Sequence, residues 1–204
     1  MNKDSVYKYF HSMPELVTPR LVLRRMKKTD YHDMYEYASR TEVTRYLTWE
    51  PHPDPEYTLR YLAYITTQYR AGLFYDWALQ WKENRRMIGT CGFTQFHYEH
   101  NSAEIGYVLN PQYWGLGIAV EAAEAVLRVG FLTLNLHRIE ARFMSGNDRS
   151  RRVMEKVGMT FEGMQRESML IKNEYTSVGT CAILASDYIA RSDTVPGRKR
   201  RTEL

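Results

Sequence analysis

The sequence contains little cysteine and no long hydrophobic run. Its two cysteines, Cys91 and Cys181, are too few for a disulfide framework or a four-cysteine zinc site. We therefore expect both thiols to be reduced and buried in the core of a cytoplasmic protein. The most apolar stretch is interrupted by Glu121, Glu124 and Arg128, so it is unsuited to spanning a membrane. The first residues also lack the apolar segment of a secretory signal.

Basic charge is concentrated at the C-terminal end. Residues 191–204 hold five basic and two acidic side chains, which accounts for +3 of the net charge of +4. A tail, rather than a groove or a helix face, therefore carries the basic signal. We expect residues 191–204 to form a disordered tail. Nucleic-acid binding is then limited to a weak, salt-sensitive effect of this tail.

The rest of the chain is predicted to fold as one domain. Its 204 residues are 44% hydrophobic, which is typical of a globular domain, and they contain no internal repeat. We expect residues 1–15 to be a polar N-terminal extension and residues 16–190 to be the domain. The hydrophobic periods predict a mixed α/β fold. The predicted elements are a strand at 16–25, helices at 30–38 and 56–70, strands at 73–81, 87–96 and 103–109, a helix at 119–131, a strand at 137–143, a helix at 145–157, and strands at 159–169 and 176–184.

A glycine-bearing turn joins the strand at 103–109 to the long helix. The first amides of a helix lack internal partners and lie at the positive end of its dipole. Gly115 and Gly117 let ligand oxygens approach this backbone closely, so a phosphate or diphosphate fits there. The dinucleotide fingerprint is excluded because Val120 replaces its third glycine, and Gly117-Ile118-Ala119 lacks the lysine and hydroxyl residue of a P-loop. An ordinary turn before an amphipathic helix is the alternative.

The residues around this turn resemble a known family. Gln112-Tyr113-Trp114-Gly115-Leu116-Gly117 matches the Gln/Arg-x-x-Gly-x-Gly/Ala signature of the GNAT N-acetyltransferase superfamily, in which this loop holds the diphosphate of acetyl-coenzyme A. The likeness covers about residues 16–190 and is similar to the branch of the ribosomal-protein N-terminal acetyltransferases. Its further segments are residues 18–24, 103–109, 137–142 and 147–163.

The resemblance implies a mostly antiparallel, splayed sheet of about seven strands flanked by helices. The strand that ends at Leu109 then diverges from the strand that begins at His137, and acetyl-CoA enters the gap. The pantetheine arm can pair with the exposed strand edges, and an amide from Val108 or Leu109 can stabilise the developing oxyanion. The implied cofactor-binding residues are Val108, Leu109, Gln112, Trp114, Gly115, Leu116, Gly117, Ile118, Ala119, Asn147 and Ser150.

The family reaction needs a proton acceptor and benefits from a proton donor. A primary amine must be neutral to attack, so a general base is useful. Glu104 is the first candidate and Glu50 is the second, although either could be a solvated surface residue. Many family members use a tyrosine to protonate the thiolate, and Met154 stands in its place here. Ser150 matches the serine proposed as acid in the ribosomal-protein branch, but Ser150 and Asn147 could equally cap a helix.

The sequence says less about the residues that bind the acceptor amine. Trp49 and Glu50 are predicted to bind the acceptor, within an aromatic segment that could receive a cationic amine or simply pack in the core. The acceptor is predicted to be a protein N-terminus or a small amine, such as a polyamine, an amino sugar or an antibiotic. A non-catalytic CoA-binding regulatory protein is the competing class. Since neither cysteine lies in the motif region, we expect direct transfer without a covalent enzyme intermediate. We expect no metal, and a monomer or a homodimer.

Overall fold

The structure is a computed structural model that describes residues 2–194. Residues 195–204, most of the predicted tail, lie outside the described residues. No helix in the described range is both long and apolar enough to cross a membrane. The helices are α1 (Lys3–Ser12), α2 (Tyr31–Ala38), α3 (Thr41–Thr44), α4 (Pro55–Arg70), α5 (Ile118–Leu132), α6 (Asp148–Lys156) and α7 (Ala185–Thr194). The strands are β1 (Leu16–Val17), β2 (Leu21–Arg24), β3 (Asp76–Trp81), β4 (Met87–His97), β5 (Ser102–Leu109), β6 (Arg138–Met144), β7 (Thr160–Ile171) and β8 (Glu174–Leu184).

All eight strands form one sheet in the order β1-β2-β3-β4-β5-β6-β8-β7. Neighbours are antiparallel except β5 and β6, which are parallel. The predicted mixed, mostly antiparallel sheet is therefore confirmed, with eight strands rather than about seven. The extra strand arises because the predicted strand at 16–25 is a hairpin. Pro19 has no amide to donate at its turn, while the Thr18 amide donates to the Leu21 carbonyl at 3.0 Å.

Helices cover both faces of the sheet. On one face, Phe10 of α1 contacts Trp77 of β3, with ring centroids 5.4 Å apart. Helix α5 lies on that face too, since a Cβ added to Gly130 would meet the Ile139 side chain at 2.4 Å. Side chains alternate along a strand, so Asp76, next to Trp77, points to the other face, which α2 and α4 cover. Both cysteines are free and buried, as predicted, and burial raises the pKa of each thiol.

Residues 1–15 are not the polar extension that the sequence predicts, because they include part of the core. Val6 and Phe10 of α1 are completely buried, and the Trp77 indole nitrogen donates to the Pro14 carbonyl at 3.2 Å. Only a few apolar side chains of α1 face inward, while its lysines and aspartate face water. This narrow apolar stripe explains why composition alone suggests an appendage.

The C-terminal boundary also differs from the prediction at residue 190. Helix α7 continues to Thr194, and its Arg191 donates to the Val157 carbonyl and to Glu124, the latter at 3.2 Å. Arg191, the first residue of the predicted tail, is therefore part of the folded domain. The i, i+4 spacing of Glu124 and Arg128 on one helix predicts a salt bridge between them. In the structure, Glu124 forms its salt bridge with Arg191 instead.

Helix α1 provides a test of the fold. Phe10→Ala is expected to lower the free energy of unfolding by about 3–5 kcal/mol, because it removes a completely buried ring from the core. Chemical denaturation of the purified variant measures the loss. Lys8→Ala, a change on the exposed side of the same helix, is the control and should cost less than about 0.5 kcal/mol. A Phe10→Ala loss no larger than the Lys8→Ala loss would contradict the packing of α1.

Candidate active site

A wedge-shaped gap opens in the sheet between β5 and β6. The two strands pair at only three positions, where Ser102–Glu104 face Arg138–Glu140. Beyond Glu104 they diverge, while β6 keeps its pairing with β8 as far as Met144. The rest of β5 therefore turns one backbone edge toward the gap. This is the splayed geometry that the resemblance implies.

The strand register determines which amide faces the gap. The Asn110 amide donates to the Ile88 carbonyl of β4 at 2.8 Å. Since alternate residues of an antiparallel pair exchange hydrogen bonds, Val108 also faces β4 and Leu109 faces away from it. The Leu109 carbonyl accepts the Trp114 indole N–H at 2.8 Å on the gap side. Of the two amides that the sequence suggests, the Leu109 amide is directed into the gap.

The glycine turn has the backbone conformation that the sequence requires of it. Gly115 and Gly117 have φ angles of +79° and +75°, a region that residues with a Cβ seldom adopt. Helix α5 begins at Ile118, one residue before the predicted start. Its first internal bond runs from the Glu121 amide to the Gly117 carbonyl at 3.1 Å. The amides that precede Glu121 therefore need another acceptor, and residues 115–117 are exposed.

Arg20 holds a positive charge beside this turn, and sequence reasoning did not select it. Its guanidinium donates to Glu121 at 2.7 Å and to the Leu116 carbonyl at 2.8 Å. Its Nη2 lies 3.7 Å from the position of a Cβ on Gly117. Burial raises the pKa of Glu121, but hydrogen bonds from Thr18 and Arg20 outweigh that effect and leave the pKa lowered. Glu121 therefore stays ionised and fixes Arg20 next to the turn.

Trp114 and Gln112 flank the turn in different ways. The Arg149 guanidinium lies 5.0 Å from the Trp114 ring centre, so Trp114 links the turn to α6. Gln112, predicted to bind the cofactor, instead donates its side-chain amide to Glu36 of α2 at 3.2 Å. The Asn110 side chain donates to the same carboxylate at 3.0 Å. A hydrogen bond from Arg86 lowers the pKa of Glu36, so Glu36 stays ionised and accepts hydrogen bonds from both side-chain amides. Gln112 thus ties the turn to α2.

Asn147 and Ser150 meet β5 through a tyrosine that the sequence reading missed. The Asn147 side chain accepts the Ser150 amide at 3.2 Å, which is the helix-capping role. The Tyr107 hydroxyl lies 2.8 Å from the Ser150 carbonyl and 2.9 Å from Ser150 Oγ. Tyr107 has a single proton, so when it donates to the carbonyl, Ser150 Oγ donates to it. Burial raises the pKa of Tyr107, which keeps it protonated. Met154 is buried in the core and supplies no proton.

Glu104 lies where the strands begin to separate, and it is paired. Its carboxylate is 2.7 Å from the guanidinium of Arg142 on β6, and its side chain is only 12% exposed. Glu104 is therefore not the solvated strand residue of the alternative interpretation. Arg142, the partner of Glu104, lines a polar groove of about 510 Å³ on the α2/α4 face of the sheet, together with Arg138, Glu140 and Glu162.

The predicted acceptor residues lie near the turn between β7 and β8. Glu50 is 71% exposed and lies 3.7 Å from Lys172 in that turn. Lys172 also donates to the Thr44 carbonyl at 2.8 Å. Trp49 contacts His52, with ring centres 5.3 Å apart, and His52 in turn contacts rings of α4. Trp49 and Glu50 thus lie beside the turn between β7 and β8, and we call this place the rim. No described contact joins Glu50 to Glu104. Residues 2–194 contain no cluster of three or more His, Cys, Asp or Glu side chains suited to a metal.

Tyr107 allows a test of the Ser150 contact. The resemblance implies that Ser150 is the acid of an acetyl-CoA-dependent transfer. On that expectation, Tyr107→Phe removes the hydroxyl that contacts Ser150 Oγ, and kcat should fall about 10-fold while the KM for acetyl-CoA changes little. Steady-state kinetics measure both constants, and a melting curve checks the fold. Tyr113→Phe, a hydroxyl loss outside this contact, is the control. Equal kcat values in Tyr107→Phe and the parent protein would exclude a positioning role.

Comparisons with known proteins agree with this geometry. Residues 20–160 match the family model described as an acetyltransferase (GNAT) domain. The chain is 33% identical to the uncharacterized N-acetyltransferase p20 of Bacillus licheniformis, covering 86% of this chain and 99% of the relative. It is 31% identical to the crystal structure of a GNAT-family acetyltransferase from Bacillus anthracis, with a TM-score of 0.76 and coverage of 85% and 99%.

Two more distant relatives have named substrates. The Escherichia coli spermidine N(1)-acetyltransferase is 23% identical, over 86% of this chain and 91% of the relative. The Escherichia coli [ribosomal protein uS5]-alanine N-acetyltransferase is 25% identical, over 95% of this chain and all of the relative. These identities do not distinguish between the two kinds of acceptor.

Proposed function

Since the chain belongs to the GNAT family of N-acetyltransferases, we propose that it transfers the acetyl group of acetyl-CoA directly to a primary amine. The observation that carries the proposal is the conjunction of the β5–β6 gap with the glycine turn at its end. A gap with a free strand edge suits the pantetheine arm. Uncommitted amides at a helix N-terminus suit the diphosphate. The buried, free cysteines are consistent with a cytoplasmic location.

The residues of the turn fit a diphosphate in charge and in shape. Gly115 leaves open space, since a Cβ there would meet nothing within 4 Å. The amides of Gly117, Ile118 and Ala119 would hold the phosphate oxygens, and Arg20 would balance their charge. Trp114 and Leu116 would border the rest of the cofactor. Gln112 would act by supporting the turn through Glu36.

The gap would place four groups around the reacting thioester. The Leu109 amide would donate to the thioester oxygen and stabilise the oxyanion, a contribution commonly worth about 3–4 kcal/mol. Glu104 would accept the proton of the attacking amine, directly or through water. Ser150 would donate its hydroxyl proton to the departing thiolate, while Tyr107 turns its own hydroxyl proton from the Ser150 carbonyl to Ser150 Oγ and replaces the proton that leaves. Asn147 would fix Ser150 and offer its side-chain amide to the pantetheine.

The acceptor amine would enter from the face that carries Glu104. Trp49 and Glu50 would contact it at the rim, where Glu50 adds negative charge. The relatives suggest two sources for this amine, a ribosomal-protein N-terminus or a polyamine. Glu50 remains the second candidate for the base. The competing proposal is a CoA-binding protein without activity, which we expect only if Glu104 and Ser150 prove dispensable.

A thiol-release assay with several acceptors tests the proposal. CoA release is followed with alanine- and serine-initiated peptides, spermidine and an aminoglycoside, after subtraction of hydrolysis without acceptor. The proposal predicts acceptor-dependent release with at least one amine and a mass increase of one acetyl group on that amine. CoA binding without transfer to any acceptor would favour the regulatory protein, and absence of CoA binding would exclude both.

A further inference from the structure

The segment between α3 and α4 crosses the β5–β6 gap. On one side of the gap, the His52 amide donates to the Ala38 carbonyl of α2 at 3.0 Å, and α2 packs on β4. On the other side, a Cβ added to Gly146, in the loop that follows β6, would lie 3.4 Å from the Tyr46 hydroxyl oxygen. β4 and β6 are separated by β5 and the gap. Residues 44–50 therefore join the two halves of the sheet, and we call them the crossing segment.

The crossing segment lies at the level of the groups proposed to react. Glu104 and Glu140 are the last paired residues of β5 and β6, so counting on from them places Leu109 level with Ser145. The Ser145 amide still donates to the strand β8, at 2.9 Å, so the count holds to this point. The next residue is the glycine beside Tyr46. The Tyr46 side chain therefore lies across the gap from the Leu109 amide.

Lys172 holds both ends of the crossing segment. Its ammonium donates to the Thr44 carbonyl at 2.8 Å and lies 3.7 Å from the Glu50 carboxylate. Thr44 is completely buried, and the Lys172 side chain is only 23% exposed. Hydrogen bonds from a charged donor are stronger than neutral ones, and the low exposure limits competition from water. Lys172 thus joins the crossing segment to the turn between β7 and β8.

The turn that carries Lys172 does not itself favour a lysine. Lys172 and Asn173 form a two-residue turn between the paired residues Ile171 and Glu174, and their φ angles are +51° and +65°. Two positive φ angles are typical of a type I′ turn, in which asparagine and glycine are preferred. A lysine costs more energy than asparagine or glycine in this backbone conformation. The lysine is therefore explained by its contacts with the crossing segment rather than by the turn.

We propose that Lys172 is a positioning residue that holds the crossing segment over the gap and so shields the thioester from water. This inference rests on the proposed acetyl transfer. Without the ammonium, the Thr44 carbonyl and the Glu50 carboxylate would lose their contact with the turn between β7 and β8. Water would then reach the thioester carbonyl, and cleavage of the C–S bond would release acetate and the thiol of coenzyme A without any amine.

Lys172→Asn tests this inference, because asparagine suits the turn and lacks the ammonium. The Leu47 amide, which donates to the Thr44 carbonyl at 2.9 Å, should exchange with D₂O about 10-fold faster in the ligand-free variant. Hydrolysis of acetyl-CoA without an acceptor should rise about fivefold. The dissociation constant of coenzyme A should stay within about twofold. Lys172→Arg, which keeps a cation, should restore both rates, and Asn173→Gly is the matched control that should change neither.

Three results would overturn the inference. An unchanged Leu47 exchange rate in Lys172→Asn would show that other contacts hold the crossing segment. Faster exchange with unchanged hydrolysis would show that the segment does not shield the thioester. Equal increases in Asn173→Gly would assign the effect to the turn rather than to the ammonium. Failure of the proposed function is distinct, because the unaltered protein would then bind no acetyl-CoA or acetylate no amine, whatever the Leu47 exchange rate.

Discussion

Replacing Gly115 by valine is expected to weaken the binding of coenzyme A about 10- to 100-fold. Gly115 has a φ of +79°, and a β-branched residue held there costs about 1–3 kcal/mol. The turn would relax to another conformation and move its amides away from the diphosphate, and each 1.4 kcal/mol lost is about tenfold in affinity. Isothermal titration with coenzyme A measures the dissociation constant directly.

Gly163 provides the matched control for this change. It also has a positive φ, of +147°, and like Gly115 it has open space where a Cβ would lie. Gly163→Val therefore introduces backbone strain in β7, away from the turn. We expect it to lower stability while leaving coenzyme A affinity within about twofold. If Gly115→Val bound coenzyme A as tightly as Gly163→Val, the assignment of the turn would be wrong.

Replacing Glu104 by glutamine is expected to lower kcat/KM about 100-fold, with the largest loss at low pH. An amine acceptor is mostly protonated below its pKa, so removing the base slows the reaction most where deprotonation is hardest. The slope of log kcat/KM against pH should therefore steepen in Glu104→Gln. Measurements between about pH 6 and 9 with one saturating concentration of acetyl-CoA provide the comparison.

Arg142→Gln separates the base role from the ion pair. Glu104 and Arg142 are 2.7 Å apart, so Glu104→Gln removes both a carboxylate and a salt bridge. Arg142→Gln removes the salt bridge and keeps the carboxylate. We expect it to retain most of the activity and the pH profile of the unaltered protein. An equal loss in both variants would show that Glu104 acts only by holding Arg142.

Sequence reasoning was most successful where the chemistry is carried by consecutive residues. The glycine turn was predicted from Gly115 and Gly117, and the structure gives both the required backbone conformation. The helix and strands around it began within one or two residues of the predictions, because their apolar periods are strong. The gap followed only from the resemblance, since strand divergence depends on which strands become neighbours.

Residues that act through long-range contacts were missed for the same physical reason. Arg20 reaches the turn from nearly a hundred residues away, and Tyr107 meets Ser150 only because α6 folds over β5. Asp76 lies inside the strand predicted at 73–81, and its neighbours Tyr37 and Tyr61 come from α2 and α4. Phe10 was missed because one buried ring in a polar helix leaves almost no periodic signal. A local pattern cannot report such neighbours.

The central claim is that coenzyme A lies in the β5–β6 gap with its diphosphate on the amides that open α5. A backbone amide NMR titration with coenzyme A tests it most directly. The account predicts that the largest shifts occur at Leu109 and at residues 115–119, and that Gly115→Val abolishes those of the turn. Saturable binding with the largest shifts elsewhere on the chain, and none at these amides, would contradict it.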